Sequence, residues 1–433
     1  MVFVMAARLN GVLKQAALLQ SLHALIQCHP LLDCTVSEIP DKGWCWTPLH
    51  SQTSQACLEW TDEDPVAVAE FVPQVRTIDI KSRSGLQVVV RASPVQSRLF
   101  LYIHHTCCDG IGGIQILGEL LARYGQITAD IGAKKPEFDV PQRDLLLERD
   151  NFEVSQATAE RHKKSLKKTI GKISRLLLRR PVLLSPSLVI SHGSNVDSAI
   201  SSPAIVEAVI SKAYNRNLRA VAATYDVSVN DLFIAQFLLH IRRWNSRTKR
   251  DQGSRWIRLS VPVSMRTRIH DAMPVANVVS YEFVTHRQHE CDNFDSLLKS
   301  IHHKTSNAVN NREGIVCLKI FKVLRKLPWG MTLFLGLKSC LSTAVLTNIG
   351  DVRRRFGGRF PLDNGKWIAG NVVVDRITGV APVRPNTRAA VSIGEYAGEI
   401  SISVRTDSTA INLADTQRFL NEFVADLERL ASG

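Results

Sequence analysis

Residues 99–113 read LFLYIHHTCCDGIGG: an apolar run, two adjacent histidines, then Asp109-Gly110 and Gly112-Gly113. The ordinary pKa of imidazole lies close to neutrality. A histidine held rigidly beside an opening can therefore take a proton from a hydroxyl, a thiol or an amine. Alternation supplies the rigidity. Leu99, Leu101, Ile103 and His105 fall on one face of a strand, and Phe100, Tyr102 and His104 on the other. Both faces are mostly apolar, which reads as an interior strand covered on both sides. The glycines permit a tight turn and close approach of the backbone to a ligand. Ile114, Leu117, Leu120 and Leu121 then recur at helical spacing. The plain alternative is a pair of hydrogen-bonded structural histidines. Cys107 or Cys108 as a nucleophile beside His105 is a lesser one. Neighbouring histidines on a strand diverge, so with Asp109 they do not converge on a metal ion.

The flanking segments must position this strand. Leu86–Arg91 (LQVVVR) precedes it across Pro94–Ser97, which makes an antiparallel hairpin. Val2–Leu9 reads as a first strand turning at Asn10-Gly11, and Leu18, Leu22 and Leu25 as the stripe of a helix that stops at His29-Pro30. In the second half, Val206–Tyr214 reads as a strand and a polar stretch follows. Ser228 with Asp231 caps a helix from Val229 to about Trp244. WIRLSVPVSMR alternates, with Ile257, Leu259, Val261, Val263 and Met265 inside and Arg258, Ser260 and Ser264 outside. Asn277 opens a further strand, and Phe294, Leu297, Leu298 and Ile301 mark a helix. Ala344–Asn348 is a strand that turns at Ile349-Gly350-Asp351. Trp367–Ile377 reads as one strand, and Ala389–Tyr396 and Ile400–Thr406 as a hairpin. Asn412 caps a last helix bearing Phe419, Phe423, Leu427 and Leu430.

The composition bounds the class. The chain has 433 residues, 45% apolar and 22% charged, enough for one large core or two medium ones. Gly330–Leu346, the longest candidate span, is broken by Lys338, and MVFVMAARLNG is too short for a signal-peptide apolar region. Nine cysteines without metal-type pairs indicate reduced thiols and a cytoplasmic protein. A formal charge of +14 favours an anionic partner: nucleotide phosphates, an acidic carrier protein or an anionic membrane. Nucleic acid is disfavoured, since no motif accompanies the charge and aromatics are only 6%. Residues 161–180 (RHKKSLKKTIGKISRLLLRR) are strongly basic. They read as a surface helix for peripheral contact with an anionic membrane or a carrier, or as the solvated face of a connecting helix.

HHxxxDG, carried by His104, His105, Asp109 and Gly110, resembles the signature of the chloramphenicol-acetyltransferase-like superfamily. That group includes peptide-synthetase condensation domains, wax ester synthase/diacylglycerol acyltransferases, polyketide-associated acyltransferases and alcohol acetyltransferases. SLHALIQCHPLLDC, VSVNDLFIAQFLLHIRRW, VPVSMR with Asn277 downstream, and AVLTN resemble further landmarks in the superfamily's order. The resemblance implies an α/β fold with mixed sheets, in two similar lobes with a tunnel between them. Residues 1–150 would form the N-terminal lobe with the motif, 151–203 a basic linker, and 204–433 the C-terminal lobe. It implies transfer of an acyl group from a thioester, either acyl-CoA or a phosphopantetheine carrier, to an alcohol or amine. No metal and no cofactor beyond the thioester co-substrate is implied. His105 would be the general base, and Asp109 a structural residue paired with Arg266. Oxyanion donors would be the Gly110 N–H, Thr347, Asn348 or Asn277, in that order, although turn formation is the plain reading of both asparagines. The alternatives are a freestanding condensation-type domain acting on carrier-bound substrates, with an acyl or peptidyl carrier as partner, and a catalytically silent homologue that binds acyl chains or carriers.

Overall fold

The computed structural model describes residues 1–49, 57–152, 171, 178–187, 205–247, 255–310, 341–384 and 386–433. The strands are β1 (Val2–Asn10), β2 (Cys34–Ile39), β3 (Gly43–Pro48), β4 (Leu58–Asp62), β5 (Leu86–Ala92), β6 (Gln96–His104), β7 (Ile205–Ile210), β8 (Trp256–Ser264), β9 (Val279–Arg287), β10 (Ala344–Asp351), β11 (Leu362–Asp363), β12 (Lys366–Ala369), β13 (Val372–Val380), β14 (Ala389–Tyr396) and β15 (Glu399–Thr406). The helices are α1 (Gln15–Cys28), α2 (Pro65–Glu70), α3 (Gly110–Thr128), α4 (Lys212–Thr224), α5 (Val229–Ser246), α6 (Phe294–Asn310) and α7 (Leu413–Ser432). They build two mixed sheets, ordered β11-β12-β13-β1-β6-β5-β4 and β7-β15-β14-β10-β8-β9, and a separate β2-β3 hairpin. The fold is mixed α/β, as the resemblance implies.

Alternation decides where the first sheet's side chains go. On one face, Phe3, Met5, Ala7 and Leu9 of β1 and Leu99, Leu101 and Ile103 of β6 pack under α1 and α3. On the other, Val2, Val4, Ala6, Phe100 and Tyr102 meet Ile205 and Val380. The strand before the histidines is therefore covered on both sides. Each fully buried large aliphatic contributes about 1.5–3 kcal/mol, so the end of β6 is a stiff platform. Its last rungs are also clamped: His104 N–H donates to the Gly85 carbonyl at 2.7 Å and His105 N–H to the Met1 carbonyl at 2.8 Å. Around the second sheet, α4, α5, α6 and α7 bury Leu218, Phe237, Ile301, Phe419 and Phe423.

The glycines after the motif serve close packing. A Cβ on Gly113 would stand 2.7 Å from Phe3 Cε2, and one on Gly112 2.7 Å from Cys108 Cβ. Only a bare backbone lets α3 start so near β1.

Several expectations need correction. Trp367–Ile377 is two strands, β12 and β13, because Gly370, at φ +62, turns the chain with Asn371. Those strands extend the sheet that holds β1 and β6, so residues 1–150 do not build that sheet alone. Segment 204–433 lends it an edge, and Met265, Met273 and Val275 join the core beneath it. Ile349-Gly350-Asp351 is not a turn after a strand but the irregular end of β10, with a register shift between Asn348 and Asp351. The strand read as Val206–Tyr214 ends at Ile210: Ser211 caps helix α4, which takes in Tyr214 and the polar stretch and is buried along a narrow stripe. Arg258 and Ser260 do not face solvent. Arg258 lies fully buried because Thr285 Oγ1 and the carbonyls of Leu341 and Arg179 accept from its guanidinium at 2.9, 3.1 and 2.7 Å. The basic stretch 161–180 lies outside the described residues except for 171 and 178–180. Among the described residues, no helix is long and apolar enough to cross a membrane.

Candidate active site

Where the two sheets meet, a cavity of ≈ 80 Å³ is lined by Phe3, Met5, His105, Asp109, Gly110, Tyr281, Thr347, Ile349, Arg384 and Ser392, among others. His105 enters it as the first residue after β6. Phe3 holds the imidazole edge-on, with ring centroids 5.3 Å apart. Asn277 Nδ2 donates to the His105 carbonyl at 2.8 Å and stands 3.4 Å from Nδ1. The ring also bonds to its own backbone carbonyl, which favours the protonated form, but burial outweighs this and lowers the pKa. The nearby Arg384 charge acts in the same direction. His105 is thus neutral at pH 7, the state a base requires. With Nδ1 on the Asn277 side, Nε2 is the nitrogen available to the cavity.

His104 points the other way, as strand alternation requires. Its Nδ1 meets Thr106 Oγ1 at 2.8 Å, and burial pushes its pKa down to about 4. Cys107 and Cys108 are fully buried. Burial pushes the Cys107 thiol up to about 12 and that of Cys108 well above its ordinary value. Neither is a thiolate at neutral pH, which removes the nucleophile alternative.

Asp109 is 3% exposed and accepts three hydrogen bonds. Its Oδ1 accepts from Gly112 N–H at 3.0 Å and caps α3. Its Oδ2 accepts from Arg266 Nη1 and from Val278 N–H, both at 2.8 Å. One carboxylate thereby ties the helix after the motif to the segment carrying Asn277, which in turn holds His105. Arg266 also donates to the Ala276 carbonyl at 3.2 Å.

The remaining candidates separate. Gly110 opens α3 at the cavity wall, and Thr347 lines the cavity from β10, paired in register with Ser392 of β14. Asn348 is not part of that wall: its Nδ2 donates to Asn230 Oδ1 at 3.2 Å and its Oδ1 accepts from Gly350 N–H at 2.9 Å. Asn277 braces His105. The sequence reading missed Arg384 and Tyr281, which follow no spacing rule. It also missed a buried chain from His29 through Glu119 and Gln115 to Arg355, at 3.0, 2.9 and 2.6 Å. A larger cavity of ≈ 580 Å³ lies beside α3, with Arg354, Arg355 and Arg359 in its wall. Ile349 lines both cavities, and among the described residues no histidine or cysteine lines the larger one.

No family model matches the chain. The first condensation domain of the CDA synthetase superposes with a TM-score of 0.67 at 14% identity, covering 99% of this chain and 91% of that one. The trichothecene 15-O-acetyltransferase from Fusarium sporotrichioides superposes with a TM-score of 0.68 at 12% identity, over 99% and 90%.

The fold is the one shared by these condensation domains and acetyltransferases.

Among curated sequences, the phthiocerol/phthiodiolone dimycocerosyl transferase of Mycobacterium bovis is 30% identical over 139 residues. That match covers 31% of this chain and 32% of the relative, so it spans about a third of the relative's length.

Proposed function

We propose that this chain is an acyltransferase that moves an acyl group from a thioester to an alcohol or amine. The observation that carries the reading is His105: neutral through burial, braced by Asn277 and Phe3, and open to a cavity where the two sheets meet. In the proposed step, His105 Nε2 takes the acceptor's proton as its oxygen or nitrogen bonds to the thioester carbonyl carbon. The tetrahedral oxyanion collapses, the C–S bond breaks, and the thiolate leaves with the proton from the imidazolium. The products are ester or amide plus free thiol. A thioester is already activated, so no covalent enzyme intermediate is needed. The oxyanion is stabilised by the positive end of α3 at Gly110 and by the Thr347 hydroxyl. Holding both reactants in line contributes several kcal/mol more, on the order of intramolecular reactions.

The wall shared at Ile349 supports a passage with two mouths, one for each reactant. The arginines of the larger cavity and the +14 charge suit the phosphates of coenzyme A or an acidic acyl or peptidyl carrier alike. Free-thiol release, measured across acyl-CoAs and carrier-loaded thioesters with a panel of alcohols and amines, tests the reading. Thiol that appears only when an acceptor is present supports it. No thiol from any pair refutes it, and turnover confined to carrier-loaded thioesters identifies the condensation-type variant.

A further inference from the structure

The cavity around His105 is mostly apolar, yet a guanidinium without a counter-ion among the described residues stands in its wall. Arg384, on the segment between β13 and β14, lays its guanidinium over the Tyr281 ring at 3.8 Å. Among the described residues, its one hydrogen bond is a long one to a neutral hydroxyl, Ser260 Oγ, at 3.5 Å. Among the described residues, no carboxylate lies within ion-pair distance of it. Asp109, the carboxylate in the same wall, is already held by Arg266. Stacking on Tyr281 fixes the guanidinium plane and leaves N–H groups on its edge, a fork that matches a carboxylate. A second donor is available: Ser392 Oγ accepts from Ala381 N–H at 2.9 Å, which frees its O–H to donate. An unmatched cation in an apolar, partly dehydrated cavity attracts an anion strongly, because water screens it poorly there.

We propose that Arg384 recognises a carboxylate carried by one of the two substrates close to the reacting atoms, so that the chain selects an acidic acyl group or an acidic acceptor over its neutral isostere. The proposal rests on the acyltransferase reading for the words substrate and acceptor, but not for the anion site itself.

Two measurements test it. In the first, hexanoate and hexanamide are titrated calorimetrically into the full chain at low ionic strength. Hexanoate is expected to bind the wild-type chain at least tenfold more tightly. Arg384→Gln should bring the two ligands level, Arg384→Lys should keep part of the preference, and His105→Ala should keep it. Equal affinities in the wild-type chain, or no hexanoate binding, overturn the proposal whether or not any variant folds. In the second, thiol release is compared for succinyl-CoA against butyryl-CoA with one acceptor, and for 4-hydroxybutanoate against 1-butanol with one donor. A tenfold or greater loss in Arg384→Gln confined to the charged member of one pair supports the proposal and shows which substrate carries the charge. Equal losses for charged and neutral members overturn it, since Arg384 would then serve the oxyanion instead. If no donor–acceptor pair, carrier-loaded thioesters included, releases thiol, the acyltransferase reading fails, and the hexanoate titration still decides the anion site.

Discussion

Arg266→Ala should destabilise the chain rather than act on chemistry alone, and the cost can be worked from the geometry. The Asp109 side chain is 5% exposed and the Arg266 side chain 10%, with the charged atoms 2.8 Å apart. Removing one partner of a buried pair costs about 3–5 kcal/mol, because the survivor stays charged and dehydrated. Asp109 would keep its bonds from Gly112 and Val278, which places the loss near the lower end. The lost bond to the Ala276 carbonyl adds about 1 kcal/mol. The sum, roughly 4 kcal/mol, is a large part of the 5–15 kcal/mol typical of a domain. Urea unfolding followed by tryptophan fluorescence measures it, with Trp367 buried in the core beneath the first sheet and Trp244 in that of the second. A cycle with Asp109→Ala separates the pair from the single residues. The expected coupling exceeds about 1.5 kcal/mol. A loss below about 1 kcal/mol in Arg266→Ala, with coupling under about 0.5, would refute the reasoning.

Asn277→Ala should lower kcat by about 10- to 100-fold with little change in unfolding midpoint, because it frees His105 without emptying the core; an unchanged kcat contradicts the bracing role. The rate should be level above pH 6.5 and fall on acidification. Burial lowers the His105 pKa from 6.5, so only acid protonates the base; a limb that rises between pH 7 and 9 would point to a different group. Gly113→Ala should cost about 1–2 kcal/mol, as overpacking against Phe3 and Met5 outweighs the helical gain; a stabilised variant would show that the two side chains give way freely.

Much of the site was legible because its signals are local. The alternation of Leu99 to His105 assigned faces, and the asparagine and serine caps of α7 and α5 stood at the start of their apolar stripes. Local signals failed where the decisive partner is distant. Arg258 reads as a surface residue until Thr285 and the Arg179 and Leu341 carbonyls are placed around it. Glu119 meets His29 across 90 residues, and Arg355 meets Gln115 across 240. Gly370-Asn371 is itself a turn signal, but the apolar residues on either side continue the alternation and hide it. Arg384 sits in an irregular segment where no period exists to read.

The central claim is that His105 moves the proton. Thiol release by wild type and His105→Ala, on whichever thioester and acceptor prove active, tests it most directly. The account predicts a loss of about 10²- to 10⁴-fold in kcat with the unfolding midpoint preserved. Retention of most of the turnover by a folded His105→Ala chain would contradict it.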